Sequence, residues 1–366
     1  MSPKKINVGI LFGGKSAEHE VSLRSAKNIF DAMDKEKYNP VLIGIDKTGQ
    51  WHLTDQKVFL LTAVDPKAAP VGPASDSVAL VPQSGGKMAH FAKGEDGGSI
   101  DVVFPILHGP FGEDGTVQGL LKLANIPFVG ASVLGSAVGM DKDVMKRLLR
   151  DAGLKIGKFI CLESEDPIPS YESVTAQVGS PCFVKPVNMG SSVGVSKVHN
   201  EAEFKKAIAD AFQYDNKILV EEFIKGREVE CSVLGNAHPI ASVPGEIIPT
   251  HDFYSYEAKY IDEKGAKLEI PAKLSPETAK KVQDAALRTF KALACEGLGR
   301  VDSFLTEDDE VYVNEINTMP GFTKISMYPK LWEASGIGYT ELIDRLIQLA
   351  IERFEKERRL RTSYGA

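Results

Sequence analysis

The chain has 366 residues, 43% hydrophobic and 25% charged, with 43 Lys and Arg against 50 Asp and Glu for a net charge of −7. At roughly 150 residues per domain, this length is enough for two or three domains with proper cores. The acidic balance argues against a dedicated nucleic-acid binder, which would carry a basic footprint.

No apolar run approaches the roughly 20 residues that cross a membrane. The start, Met1-Ser2-Pro3-Lys4-Lys5, runs into INVGILF without a signal-peptide pattern. The four cysteines, Cys161, Cys182, Cys231 and Cys295, form no CxxC pair, so neither a zinc site nor a secreted disulfide framework is expected. These features predict a soluble cytoplasmic protein with no membrane partner.

Residues 6–12 read as a buried strand ending at Gly13-Gly14, residues 22–33 as a helix and 41–45 as a second strand. Strand, glycine turn, helix, strand opens an α/β domain with a parallel sheet. The Pro-, Gly- and Ser-rich stretch 46–99 predicts short strands or a β-excursion. A buried strand returns at 102–107, and a short one is expected at 128–129. Residues 141–152 read as a helix stopped by Gly153. Strands are expected at 159–162, 182–185, 195–198, 218–222 and 229–234, with helices at 171–178 and 201–212. In 229–234, Val229, Cys231 and Val233 share one face, and Glu228, Glu230 and Ser232 the other. Residues 250–265 read as a Tyr-rich loop, 276–294 as a long helix, 300–305 and 310–316 as a hairpin, and 338–355 as an amphipathic helix. No internal repeat is visible.

Gly9 to Ser16 formally matches GxxxxGK[ST], but Ile10, Leu11 and Phe12 continue an apolar strand where that motif needs a phosphate-wrapping loop. Glu18 and Glu20 would also repel phosphate. The better reading is a glycine turn that delivers Glu18 to the C-terminal edge of a parallel sheet, where ligands bind in open α/β folds. Glu315 and Asn317 are two apart on one strand and face one way, with Asp302 on the partner strand. Three hard oxygen donors of this kind suit Mg²⁺, with Glu315 central enough to be shared by two ions.

Lys185 ends a strand and precedes Gly190-Ser191-Ser192-Val193-Gly194, a loop whose N–H groups and hydroxyls suit phosphate oxygens. Lys142 offers a second lysine at a helix start. The segment Glu221-Glu222-Phe223-Ile224 supplies a backbone edge for a purine, and Glu228 a carboxylate for ribose hydroxyls. His108 follows a buried strand and opens a Gly-rich binding loop. The 250–260 loop, with Tyr254, Tyr256, Tyr260 and Lys259, reads as a lid over a reaction site.

Taken together, these motifs resemble the D-alanine–D-alanine ligases of the ATP-grasp superfamily over nearly the whole chain. Gly13-Gly-Lys-Ser-Ala-Glu18-His-Glu is similar to the N-terminal signature, His108 to Gly119 to one ligase motif, and Arg300 to Gly321 to another. The insertion at 46–99 resembles the longer subgroup. The resemblance implies an α/β protein, α+β in its ATP-binding part, with a three-domain ATP-grasp fold. Residues 1–129 would form a Rossmann-like substrate-binding domain. Residues 130–222 would form a central subdomain, and 223–366 a C-terminal subdomain carrying the metal site and a lid loop at 250–268.

By the same resemblance, Lys142, Lys185 and Lys259 would hold ATP phosphates under the loop of Gly190, Ser191 and Ser192, with Asn314 in the nucleotide set. Glu221, Glu222, Phe223 and Ile224 would meet adenine, and Glu228 ribose. Asp302, Glu315 and Asn317 would hold two Mg²⁺ or Mn²⁺ ions, and a monovalent cation is a possible further cofactor. Glu18 and His108 would meet the first D-alanine, and Ser326 and Met327 the second. Arg300 and the Gly321 N–H would stabilise an oxyanion. Glu18, Ser191 and Tyr260 would form a hydrogen-bonded triad.

The implied partners are ATP, D-alanine and a second copy in a homodimer. A ligase joining D-alanine to D-lactate or D-serine is the nearest rival, although Glu257-Ala-Lys259-Tyr260 favours the dipeptide. A nucleotide-binding protein that has lost catalysis is a rival of another class.

Overall fold

The computed structural model describes residues 4–64, 77–90, 96–249, 266–361 and 363–364. The chain opens with β1 (Ile6–Gly13), α1 (His19–Ala32), β2 (Tyr38–Ile45), β3 (Trp51–Leu53) and α2 (Gln56–Val64). β1 pairs in parallel with β2 and with β7 (Val102–Pro105), while β3 adds antiparallel at the β2 edge. Val8, Ile10, Leu11 and Phe12 are fully buried, as a parallel strand covered on both faces requires. Gly9 lies inside β1, and a Cβ there would fall 2.8 Å from Ile100. It is a packing glycine, and the apparent phosphate-loop motif is a strand.

The 46–99 stretch contains the expected excursion as a small antiparallel sheet of β4 (Val78–Leu80), β5 (Lys87–His90) and β6 (Asp96–Ser99). It also contains α2, which was not expected. After β7 come α3 (Thr116–Leu123), α4 (Val133–Met140) and α5 (Lys142–Asp151). The strand expected at 128–129 is a single parallel bridge from Phe128 to Val103. Asp141 caps α5 by accepting the Val144 N–H at 2.9 Å, and Gly153, left-handed at φ +69°, follows its end.

A second sheet, ordered β10-β9-β11-β8, is antiparallel throughout. It is built from β8 (Phe159–Glu163), β9 (Cys182–Pro186), β10 (Ser196–Val198) and β11 (Lys217–Glu222), with α6 (Tyr171–Val178) and α7 (Glu201–Ala211) on one face. A third sheet of six strands contains β12 (Arg227–Gly235), β13 (Ile240–Ala241), β14 (Gly245–Pro249), β15 (Ala266–Glu269), β16 (Gly297–Leu305) and β17 (Val311–Asn317). The strands on either side of Lys225-Gly226, β11 and β12, lie in different sheets. One expectation changes here. Residues 266–268 of the expected lid are strand rather than loop, because β15 pairs with β14.

α8 (Pro276–Ala292) covers Val229, Cys231 and Val233, all fully buried, so the alternation read in this strand holds. The closing helices α9 (Met327–Ala334) and α10 (Tyr339–Arg358) return to the first sheet. Phe12, Phe104, Phe322, Tyr328 and Trp332 share one core there. Buried Arg353 of α10 donates to the carbonyl of Phe128 at 2.8 Å and to that of Gly130. Among the described residues, no helix is long and apolar enough to cross a membrane.

Candidate active site

The turn after β1 is built to hold Glu18 still. The Ser22 hydroxyl accepts the Gly13 N–H at 2.8 Å and donates to the Ile106 carbonyl, while the His19 ring meets the Gly14 carbonyl at 2.8 Å. Glu18 is left buried at the sheet edge, where it accepts the Ser191 hydroxyl from the glycine-serine loop. Ser191 and Ser192 both hold left-handed backbone, at φ +53° and +60°. Such strain in non-glycine residues persists only where surrounding contacts enforce it. The contacts include the Lys142 ammonium on the Met189 carbonyl at 2.8 Å, and Asp215 accepting from the Asn188 backbone and side chain at 2.7 and 3.0 Å.

His108 is buried beyond the end of β7. Its Nδ1 lies 3.0 Å from the Met319 carbonyl, which can only accept, so Nδ1 carries the proton. Burial pushes the His108 pKa down, against the pull of Glu18, and the ring is neutral. The Phe322 N–H donates to Ser25 of α1 at 3.1 Å. His108 and α1 therefore both fasten the turn that carries Gly321. A Cβ on Gly321 would lie 2.8 Å from the Ser326 hydroxyl, which itself accepts the Thr323 N–H at 3.0 Å. Ser326 begins α9, and Met327 is buried behind it.

On β16, the Arg300 guanidinium grips both oxygens of Asp302, at 2.7 and 2.8 Å, and meets Glu230 of β12 at 2.8 Å. Asn317 donates to Asp302 at 2.8 Å, and Asp302 stands opposite Glu315 in register. A bulge lies here, since Ser303 pairs with Val313 and Asn314 is the extra residue. Simple alternation would send Asn314 away from Glu315. The bulge re-aims it, and both line the same cavity. Among the described residues, no three His, Cys, Asp or Glu side chains form a ready-made metal cluster. The donors here are two carboxylates and an amide, hard oxygens that fit Mg²⁺ or Mn²⁺ when substrate phosphates complete the shell.

The cavity measures about 480 Å³ and lies between the second and third sheets. Lys142, Lys185, Gly190, Ser191, Ser192, Asn314 and Glu315 line it, as do the 221–224 segment and Glu228. Lys142 sits at the positive end of α5, an unfavourable place for a cation, and is compensated by Glu315 at 3.3 Å. Lys185 pairs with Glu221 and reaches Asn314 at 3.4 Å. The Glu222 carboxylate accepts the Lys158 N–H at 2.9 Å. A second cavity of about 310 Å³ borders His108, Gly14 and Trp51. Lys259 and Tyr260 lie outside the described residues, as does most of the expected lid.

Residues 7–131 match the family described as D-ala D-ala ligase N-terminus, and residues 148–348 match D-ala D-ala ligase C-terminus. The chain belongs to the D-alanine–D-alanine ligase family. It is 58% identical over 363 residues to the D-alanine–D-alanine ligase of Oceanobacillus iheyensis, covering 98% of this chain and 99% of that one. The D-alanine–D-alanine ligase structure from Coxiella burnetii superposes with a TM-score of 0.86 at 42% identity, covering 97% of this chain and 96% of the other. The VanG D-Ala:D-Ser ligase structure from Enterococcus faecalis gives 0.83 at 35% identity, with 95% and 100% covered. The fold is that of ATP-grasp ligases.

Of the buried ionisable residues in this family member that escaped the sequence reading, two stand close to the site. Lys146, fully buried, pairs with Glu221 and donates to the Asn314 carbonyl at 3.3 Å. Its one available signal was its position one helical turn after Lys142. Glu113 accepts the Gly109 N–H at 3.0 Å through Oε1, while its buried Oε2 has no hydrogen-bond partner among the described residues. Burial and the nearby charge of Glu18 push the Glu113 pKa up to about 8. It stood inside the Gly-rich motif, but nothing in its neighbours marked it as buried.

Proposed function

We propose that this chain uses ATP to join two D-alanine molecules into D-alanyl-D-alanine, a precursor unit of peptidoglycan. The observation that carries this reading is the meeting, at one cavity of a D-alanine–D-alanine ligase family member, of two lysines with Asn314 and Glu315. The carboxylate of the first D-alanine attacks the γ-phosphorus, giving an acyl phosphate and ADP. The amine of the second attacks the acyl carbon, and phosphate leaves the tetrahedral intermediate.

Both steps gather negative charge on oxygen, so fixed cations and donors are the main catalytic need. Lys142 and Lys185 hold the phosphates under the Gly190–Ser192 loop. The 221–224 edge meets adenine and Glu228 the ribose. Glu18 pairs with the first substrate's ammonium, and neutral His108 leaves that pairing undisturbed. Arg300 and the Gly321 N–H face the oxyanion, and Ser326 with the Met327 N–H takes the second carboxylate. Asp302, Glu315 and Asn317 would hold the divalent ions, whose charge would offset that of the phosphates. Lys259 and Tyr260 complete the assignment by resemblance alone.

Three domains, 1–129, 130–222 and 223–366, are proposed on the same basis, as are a cytoplasmic setting and a homodimer. Sedimentation would test the dimer.

Dipeptide formation from ATP, Mg²⁺ and D-alanine, with L-alanine as control, tests the reaction, and D-lactate or D-serine in competition tests the acceptor. Glu315→Gln is expected to abolish phosphoryl transfer while leaving the circular dichroism unchanged. Near-normal ligation by that variant would sink the metal assignment.

A further inference from the structure

Glu221 is held by two lysines, one on each carboxylate oxygen. Lys185, from β9, takes Oε2 and lines the cavity. Lys146, from α5, takes Oε1, has no exposed surface and is absent from the described residues that line the cavity. One cation thus stands in front of the carboxylate, where a ligand can reach it, and the other stands behind. Lys146 also ties Glu221 to β17 through the Asn314 carbonyl at 3.3 Å. The Asn314 side chain meets Lys185 at 3.4 Å.

A buried carboxylate stripped of its partners costs several kcal/mol. If Lys185 were the only cation on Glu221, moving it to a phosphate would strand that charge. With Lys146 in place, Glu221 stays paired while Lys185 moves. Burial pushes the Lys146 pKa down, but the Glu221 charge opposes it, and Lys146 with Lys185 holds Glu221 below the usual carboxylate range against its own burial.

We propose that Lys146 is a positioning residue for nucleotide binding: by neutralising Glu221 from behind the cavity wall, it frees Lys185 to engage phosphate. This role rests on reading the cavity as the ATP site.

The test is calorimetric titration with Mg·ADP, paired with steady-state kinetics. Lys146→Met leaves Lys185 committed to Glu221. If that leaves Lys185 available about a tenth of the time, ADP affinity falls about tenfold. The KM for ATP should rise in step, while the KM for D-alanine and kcat at saturating ATP stay within about threefold, since the change is in nucleotide binding alone. Adding Glu221→Gln removes the stranded charge, so the double variant should bind ADP at least about threefold more tightly than Lys146→Met.

Unchanged ADP affinity in Lys146→Met, an equal loss for ATP and D-alanine, or no recovery in the double variant would each overturn the proposal. Should Lys146→Met fail to fold, Glu221→Gln is compared with the double variant. Once Glu221 is neutral, the second change should alter ADP affinity by less than about threefold, and a larger loss overturns the role. No ADP binding by the unaltered chain would instead overturn the nucleotide site itself, together with this role.

Discussion

Glu113 gives the site a proton that the folded chain keeps and the unfolded chain gives up. Its pKa stands near 8, against an ordinary value of 4.5. The folded state therefore binds more protons between those limits, and this contribution to stability is lost as pH rises through about 8. Glu113→Gln keeps the Gly109 contact and removes the titration. Urea unfolding at about pH 5 and pH 8 should show the variant losing less stability than the parent between the two; parallel slopes would refute it.

Most residues of the proposed site were legible as chemistry. Glu18 followed a glycine turn, Lys185 preceded a Gly/Ser loop, and Asp302, Glu315 and Asn317 shared a hairpin face. What stayed illegible was which groups point at each other before any ligand arrives. No pattern in the chain announces that Glu221 is shared by Lys146 and Lys185, because those contacts join residues far apart in sequence. Arg300 and Asp302 are only two apart on one strand, but their residue types point to a ligand and a metal ion rather than to each other.

Most elements that carried periodicity or punctuation were legible, although α9 has an amphipathic face and was not anticipated. α6 and α7 show N-cap residues, Ser170 and Asn200, that accept the N–H groups of Ser173 and Glu203, and both helices were found near their true bounds. α2 (QKVFLLTAV) is apolar almost all round, and α4 (VLGSAVGM) carries two glycines and no polar stripe. Neither offers the amphipathic signal of a surface helix, and both were missed. The bulge at Asn314 is likewise invisible to a period-2 reading, yet it brings Asn314 and Glu315 to one cavity. At this scale, Asn200→Ala should cost about 1 kcal/mol through loss of the α7 cap, measured by denaturant unfolding. No change in midpoint would show that the Glu203 contacts alone secure the helix start.

At the scale of the whole molecule, the closing helices do not form a core of their own. Phe322, fully buried, packs on Phe104 of β7 and on Tyr328 of α9, with ring centroids 5.8 and 5.4 Å apart. Its carbonyl accepts from Asn28 of α1 at 3.1 Å and from Tyr339 of α10 at 2.6 Å. Phe322→Ala should therefore destabilise the first sheet and the last two helices together, by about 3–5 kcal/mol. A calorimetric trace in which only one portion shifts would contradict a shared core. The net charge of −7 gives no hint that Lys142, Lys185 and Arg300 are gathered with their counter-charges Glu221, Glu230, Asp302 and Glu315 in one cluster of ion pairs.

The two tryptophans divide the molecule between them. Trp332 is sealed in the core shared by the first sheet and the closing helices, whereas half-buried Trp51 borders the smaller cavity beside His108. Their ultraviolet emission should differ accordingly, blue-shifted for the first and closer to that of indole in water for the second. Single-tryptophan variants would thus turn the chain into two optical reporters, one for global unfolding and one for events near the turn that carries Glu18.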